Sequence, residues 1–431
     1  MSDGVARLDY RGLNSDAKPP LDLGVRVRLS VMMFLQFAVW GGWFTAWGIY
    51  CEHSLGFNKL QIGFLYSTMA LGAIVSNLVA GQLADRVLSS EYLMAIFHLV
   101  GAVLLYAMAT IHDYHTLWIV AFAYALVYNP TIAISNSISF ANVPDSTRDF
   151  PSLRVLGTIG WIAAGLSVDY LLPAGSEKTN APLLMCAGIS AALGLFSFAL
   201  PHTPPSGKKG DAVPFLRALG LLKDPSFGIF FGISFIITIA LAFYYNFAPN
   251  FLTDIHIKNP VATQTLGQAS EIIFMLLLPF ALKRFGMKGV LTLGMGAWAV
   301  RYGLFSLEHP LALIYIAIAL HGVCFDFFLA AGFIYTDNKA PADIRSSAQA
   351  LFTFLTYGLG MYIGNLVGGM LAQYLTTPGG QTEWSKFWAV PAIGAAVCLL
   401  LFLILWKDTP GKVDPLEEPR GFAVSAPGGD A

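Results

Sequence analysis

The 431 residues are 56% hydrophobic and only 12% charged, with a net charge of -1. A soluble globular domain carries about a quarter charged residues, so water is not the main solvent of this chain. The near-neutral balance offers no basic surface for nucleic acid, and the four cysteines, Cys51, Cys186, Cys324 and Cys398, have neither the spacing of a metal site nor that of a disulfide framework.

In chain order, residues 1–25 form a polar tail carrying Arg7, Arg11 and Lys18. The apolar run behind it is too long for the core of a cleavable signal sequence and is expected to stay as a first membrane helix. Runs long enough to cross a hydrocarbon layer of about 30 Å follow at 28–50, 60–84, 91–111, 115–137, 152–172 and 182–200. A polar segment, 201–225, separates them from 226–252, 261–285, 288–307, 310–336, 345–375 and 384–406. The expected fold is an all-α membrane protein of twelve transmembrane helices in two six-helix bundles, 26–200 and 226–407, ending in a disordered tail, 408–431, rich in Pro, Gly and acidic residues. Within the central segment Phe215, Leu216, Leu219 and Leu222 recur at helical spacing beside Arg217 and Lys223. Both a short amphipathic helix on the inner leaflet and a plain linker fit that pattern.

Orientation follows from the cations, because positively charged loops stay cytoplasmic. With the N-terminus inside, twenty Lys and Arg residues fall on the cytoplasmic side and four, Lys59, Lys178, Lys258 and Lys386, on the outside, with Arg301 left within a span. Both termini are therefore expected in the cytoplasm.

Charge inside hydrocarbon costs about 2.5–3.5 kcal/mol at mid-helix, so such residues face a partner or a water-filled cavity. The candidates are His98, Arg154, Glu271, Arg301, His321 and Asp326. Arg154, Thr158 and Trp161 fall at i, i+4 and i+7, which puts a cation, a hydroxyl and an aromatic ring on one face. Gln268 and Glu271 pair an amide with a carboxyl at i, i+3, and Phe325 beside Asp326 adds a ring and a second carboxyl. Such a lining can hydrogen-bond a polyhydroxylated, uncharged ligand while stacking on a flat ring. Each residue also has a structural reading: Arg154 as a snorkelling anchor, Glu271 and Arg301 as members of an ion pair, His98 and His321 as packed, hydrogen-bonded histidines. Trp40 is the tryptophan of the first span best placed to see a cavity. No phosphate-binding Gly-x-x-x-x-Gly-Lys-Ser/Thr pattern occurs, which leaves an ion gradient as the energy source. Glu271 and Asp326 are the expected proton sites, and no cofactor or metal is expected.

Gly81-Gln82-Leu83-Ala84-Asp85-Arg86, at the end of the second run, resembles the loop motif of the major facilitator superfamily. That resemblance makes Asp85 and Arg86 gate residues. Between spans four and five stand Asn142, Pro144, Asp145 and Arg148, echoed by Asn338, Pro341, Asp343 and Arg345 half a chain later. This faint repeat is of the kind secondary transporters show.

Further blocks extend the likeness over nearly all spans. They are Phe34-Leu35-Gln36-Phe37 with Trp40-Gly41 and Trp43, Asn136 with Ile138-Ser139, Arg154 through Trp161, Gln268 with Ser270-Glu271, Phe325-Asp326-Phe327-Phe328, and Ile344-Arg345 with Ser347-Ala348-Gln349. With them the chain resembles the nucleoside:proton symporter family of that superfamily. The resemblance implies a multi-pass protein of the bacterial inner membrane, monomeric, importing nucleosides with protons by alternating access. It implies substrate contacts from Arg154, Thr158, Trp161, Gln268, Glu271 and Phe325, with Gln36, Trp40, Tyr245 and Asn246 added from spans one and seven, and proton coupling through Glu271 and Asp326. Two departures stand out: Trp161 is larger than the family's phenylalanine, and span seven has Ala242 and Tyr245 where the family has a glutamine and an asparagine. A sugar, polyol or modified nucleoside is the alternative cargo, and a non-transporting receptor is a further alternative.

Overall fold

A computed structural model describes residues 19–86, 88–205, 214–341 and 344–407. The described chain is helical apart from one isolated bridge between Thr376 and Thr382. Helices α1 (Leu23–His53), α2 (Lys59–Arg86), α3 (Ser90–Thr110), α4 (Tyr114–Asn142), α5 (Ser146–Tyr170) and α6 (Ala181–Phe196) come first. After a short connecting helix, Pro214–Lys223, follow α7 (Pro225–Asp254), α8 (Pro260–Ser306), α9 (Leu311–Lys339), α10 (345–374) and α11 (Trp384–Leu405). Among the described residues ten helices are long and apolar enough to cross a membrane, all of these except α2.

Polar residues set the helix ends. Asp22 accepts from Val25 N at 2.9 Å, Asp113 from Thr116 N at 2.8 Å and Asp224 from Phe227 N at 3.0 Å, so each satisfies a first-turn donor that has no intrahelical partner. Pro225 and Pro260 then occupy first-turn positions that need no donor. Inside α8 the backbone of Gly286 has φ 67° and ψ 175°, which a side chain would strain, and the chain turns there between Lys283, Arg284 and Lys288. The break falls between the expected runs 261–285 and 288–307. The connecting helix begins at Pro214 and is wound tighter than an α-helix. It buries Ala218, leaves Leu216 and Leu219 exposed, and packs on the start of α10 and on α7.

Packing sorts the helices into two groups. In the first, α1 lies against α5 and α6, α2 against α4, and α3 against α4 and α6. In the second, α8 lies against α9 and α11, and α7 against α10 and α11. The sequence blocks of α1 and α5 prove to be each other's packing surface. A Cβ on Gly160 would stand 2.1 Å from the Phe34 carbonyl oxygen, and one on Gly41 would stand 2.8 Å from Trp161, so neither position admits a side chain.

The two groups meet through α1 with α7, α2 with α10 and α5 with α8. Polar ties cluster at the end where α1, α5 and α7 finish. Asn250 donates to the Gly48 carbonyl at 3.1 Å and to the Glu52 carboxylate, and Lys59 sits 2.5 Å from Glu52. Lys59 also lies 5.1 Å from the Trp384 ring, whose Nε1 donates to Asp254 at 2.9 Å. Asp169 of α5 accepts from Ala262 N at 2.7 Å, so one group caps a helix of the other. The side chains of Asp85 and Arg86, and the expected tail 408–431, lie outside the described residues.

Candidate substrate and proton site

Arg154, Thr158 and Trp161 come from α5, which is pressed onto α1 by Gly157 and Gly160. The Arg154 guanidinium lies 4.1 Å from the centre of the Phe37 ring, a cation–π contact worth about 0.5–2 kcal/mol. Arg154 and Thr158 are half-buried, and Trp161 is buried edge-on to Trp40 with ring centres 5.0 Å apart. Trp40 in turn meets Tyr128 at 6.2 Å and Phe44 at 5.8 Å, and Phe44 meets Tyr245 of the second group at 6.3 Å. An aromatic wall therefore runs from α5 across α1 to α7.

The carboxyls come from the second group. Glu271 of α8 keeps 22% of its side chain exposed, while Gln268, one turn before it, is buried with no partner on its Oε1. Asp326 is fully buried, and neither of its carboxyl oxygens has a hydrogen-bond partner among the described residues. The charge of Arg154 acts on Glu271 across the boundary between the groups, as that of Arg301 does from within the second group. The charge of Glu271 in turn acts on Asp326. Arg154 and Glu271, and Glu271 and Asp326, therefore lie within electrostatic reach of each other.

The backbone shapes this cluster in a way periodicity does not reveal. Phe325–Ala330, which holds Phe325 and Asp326, is a π-type wide turn inside α9, and Phe354–Gly360 is a second one inside α10. Wide turns of this kind interrupt α-helices frequently at functional sites. The second carries Tyr357, a half-buried residue within electrostatic reach of Glu271, Asp326 and Arg154. Sequence reasoning missed Tyr357, because a tyrosine in an apolar span carries no signal of its own.

Two expected contacts, Gln36 and Asn246, are engaged in buried hydrogen bonds. Gln36 is fully buried and both ends of its amide are taken, by His98 Nε2 at 2.7 Å and Thr131 at 2.7 Å. It braces the wall behind Trp40 and is not free to bind a ligand; a polar side chain in a span has two outlets, a cavity or a buried network, and composition does not distinguish them. His98 completes that network against Ser190 at 3.1 Å, in keeping with a packed histidine. Asn246 donates to Asn365 of α10 at 2.7 Å, leaving its Oδ1 unpartnered. Ala242 is fully buried against α10, where a Cβ on Gly364 would stand 2.7 Å from its own.

Arg301 and His321, both fully buried, are in direct contact. Arg301 Nη1 is 2.8 Å from His321 Nδ1, and His321 Nε2 is 3.8 Å from Glu271 Oε2. Ser270 accepts from Gly322 N at 2.8 Å, which locks α8 to α9 beside this pair.

With fold and site described, comparison with known proteins defines the class: a multi-pass membrane transporter of the major facilitator fold. The family model for the nucleoside H+ symporter matches residues 23–410. The Escherichia coli (strain K12) protein YegT is 42% identical over 92% of this chain and 98% of its own. The xanthosine permease of the same organism is 31% identical over 89% and 96%. The crystal structure of the nucleoside transporter NupG superposes with a TM-score of 0.83 at 29% identity, covering 89% of this chain and all 100% of that one. The chain belongs to the nucleoside H+ symporter family.

Proposed function

We propose that this protein imports nucleosides together with protons across the bacterial inner membrane by alternating access, as a monomer of twelve membrane crossings with both termini in the cytoplasm. A straight helix as long as Pro260–Ser306 would span about 70 Å, more than twice a hydrocarbon core, and Gly286 breaks it, so it counts as two crossings. The 28-residue α2, packed alongside α4 and α10, supplies the twelfth. The excess of Lys and Arg at one set of helix ends supports the orientation.

The observation that carries the reading is that a cation of the first helix group lies within electrostatic reach of a carboxyl of the second. Arg154 acts on Glu271, and the aromatic wall of Trp161, Trp40 and Tyr245 runs past them. Arg154, Thr158, Gln268, Glu271 and the free Oδ1 of Asn246 hydrogen-bond the ribose and base, while Trp161, Trp40, Phe325 and Tyr245 stack on it. Glu271 and Asp326 bind the proton; neither oxygen of Asp326 has a hydrogen-bond partner among the described residues, so it can gain and lose a proton without breaking one. Asp85 and Arg86 act as the cytoplasmic gate. Gln36 supports Trp40 and touches no substrate.

Uptake of labelled uridine, adenosine and xanthosine into vesicles, with and without an inward pH gradient, tests this. A proton moving down about 100 mV provides about 2.3 kcal/mol, enough for about fifty-fold accumulation. Glu271→Gln is expected to retain exchange and lose accumulation. Absence of uptake for every nucleoside would remove the substrate assignment, and indifference to the gradient would remove the coupling. Competition by free sugars would favour the second reading, a sugar-type cargo, which the replacement of two amide side chains by Ala242 and Tyr245 motivates.

A further inference from the structure

Behind Glu271 lies a contact whose chemistry permits one protonation pattern. A guanidinium has five N–H donors and no acceptor. Arg301 Nη1 stands 2.8 Å from His321 Nδ1, so that ring nitrogen must present its lone pair and carry no proton. The proton of the neutral imidazole is then on Nε2, the nitrogen that faces Glu271 Oε2 at 3.8 Å. A second proton on Nδ1 would set N–H against N–H and add a positive charge beside the cation.

Neither partner has room to rearrange. Arg301 is fully buried, with its guanidinium 3.6 Å from the Tyr244 ring centre and 5.6 and 5.7 Å from those of Trp298 and Phe305. Among the described residues it has no carboxylate within ion-pair distance. The His321 ring, also fully buried, is enclosed by Tyr244 at 5.2 Å, Phe325 at 5.6 Å and Tyr245 at 6.1 Å. Its Cβ sits against Gly267, where a side chain's Cβ would come within 3.2 Å. The titratable groups facing the pair are thus Glu271 and Tyr302 from α8, Tyr244 and Tyr245 from α7, and Cys324 from α9. The part-exposed Glu271 carboxylate, 3.8 Å away, is an acceptor able to swing toward Nε2.

We propose that Arg301 locks His321 as the neutral tautomer protonated on Nε2, and that His321 is a positioning residue for Glu271 and not a carrier of the transported proton. This inference rests on the proposed coupling role of Glu271. The 3.8 Å gap is too long for a hydrogen bond and closes when the Glu271 side chain turns toward the ring as a carboxylate. Once Glu271 is protonated, that attraction weakens and the side chain is released toward the substrate. The buried cation thereby acts on the coupling carboxyl through an imidazole that never changes its own charge.

Two measurements decide it. His321→Gln keeps an acceptor for Arg301 and a donor for Glu271 but has no titratable ring, and it is expected to retain gradient-driven nucleoside accumulation within about threefold of the parent. His321→Leu removes the donor, and its accumulation is expected to fall at least tenfold while nucleoside exchange persists. In the ¹⁵N-histidine spectrum of the detergent-solubilised protein, the resonances lost in His321→Gln are expected to show protonated Nε2, unprotonated Nδ1 and no titration between pH 5 and 8. A ring that titrates in that range, or loss of accumulation in His321→Gln with nucleoside binding intact, would make His321 a proton carrier and overturn the proposal. The spectrum reads the tautomer whether or not the parent moves nucleosides, so failure of the transport reading and failure of this one are separable.

Discussion

Tyr357 is where residue-level physics says most about the site. Its phenol lies within electrostatic reach of Arg154, Glu271 and Asp326, three groups supplied by three different helices. A half-buried hydroxyl in that position can donate to a ligand oxygen or to a carboxylate, and the ring supplies area either way. Tyr357→Phe keeps the ring and removes one hydrogen bond, worth about 1 kcal/mol, so KM for the preferred nucleoside is expected to rise about fivefold with the unfolding temperature unchanged. An unaltered KM would exclude Tyr357 from ligand contact. Arg154, Glu271 and Asp326 were legible in the sequence because a charge in an apolar run is costly and needs a reason. Tyr357 carries no such cost, and Gln36 carries one that His98 and Thr131 discharge inside the wall.

At the scale of elements, hydropathy and turn chemistry foresaw most of the helices, since ten are long apolar runs and several begin at a capping Asp or a Pro. The break at Gly286 was legible too, because Lys283, Arg284 and Lys288 mark a solvent-facing turn. The wide turns at Phe325–Ala330 and Phe354–Gly360 were not, since the apolar pattern runs through them unbroken. The close crossing of α1 and α5 is what holds Arg154 and Trp161 at the site, and it depends on bare Cα positions. A methyl group on Gly160 would stand 2.1 Å from the Phe34 carbonyl oxygen, a backbone atom that cannot step aside. Gly160→Ala is therefore expected to destabilise by about 1–3 kcal/mol, read as a lower unfolding temperature and reduced uptake. Gly188→Ala and Gly232→Ala, with nothing within 4 Å of the added methyl, are the controls and should behave like the parent. Equal unfolding temperatures for all three variants would show that α1 and α5 can separate without cost.

For the whole molecule, alternating access requires that the ties between the two helix groups be breakable and that breaking them change which side can reach the site. The cluster of Glu52, Lys59, Asn250 and Asp169 closes the end that the proposed orientation places outside. None of these ties is a large apolar interface, which suits contacts that must open in every cycle. Asp169 is the simplest to test, because its carboxylate caps α8 from the opposite group through Ala262 N at 2.7 Å. Asp169→Ala removes a cap worth about 1 kcal/mol from the outside-closed state alone, which shifts the population toward the outside-open state about fivefold. Thr265 is a suitable reporter: it is buried one turn below Ala262, and its methyl carbon is 3.0 Å from where a Cβ on Gly165 would stand. The native cysteines are all buried, so a membrane-impermeant maleimide added from outside reads Thr265→Cys against a low background. Labelling is expected to be about fivefold faster when Asp169→Ala is combined with it, and addition of a transported nucleoside should alter the rate in both proteins. Equal rates with and without Asp169 would mean that this cap does not hold the outer end closed, and that opening is governed by the other ties there, among them Glu52, Lys59 and Asn250.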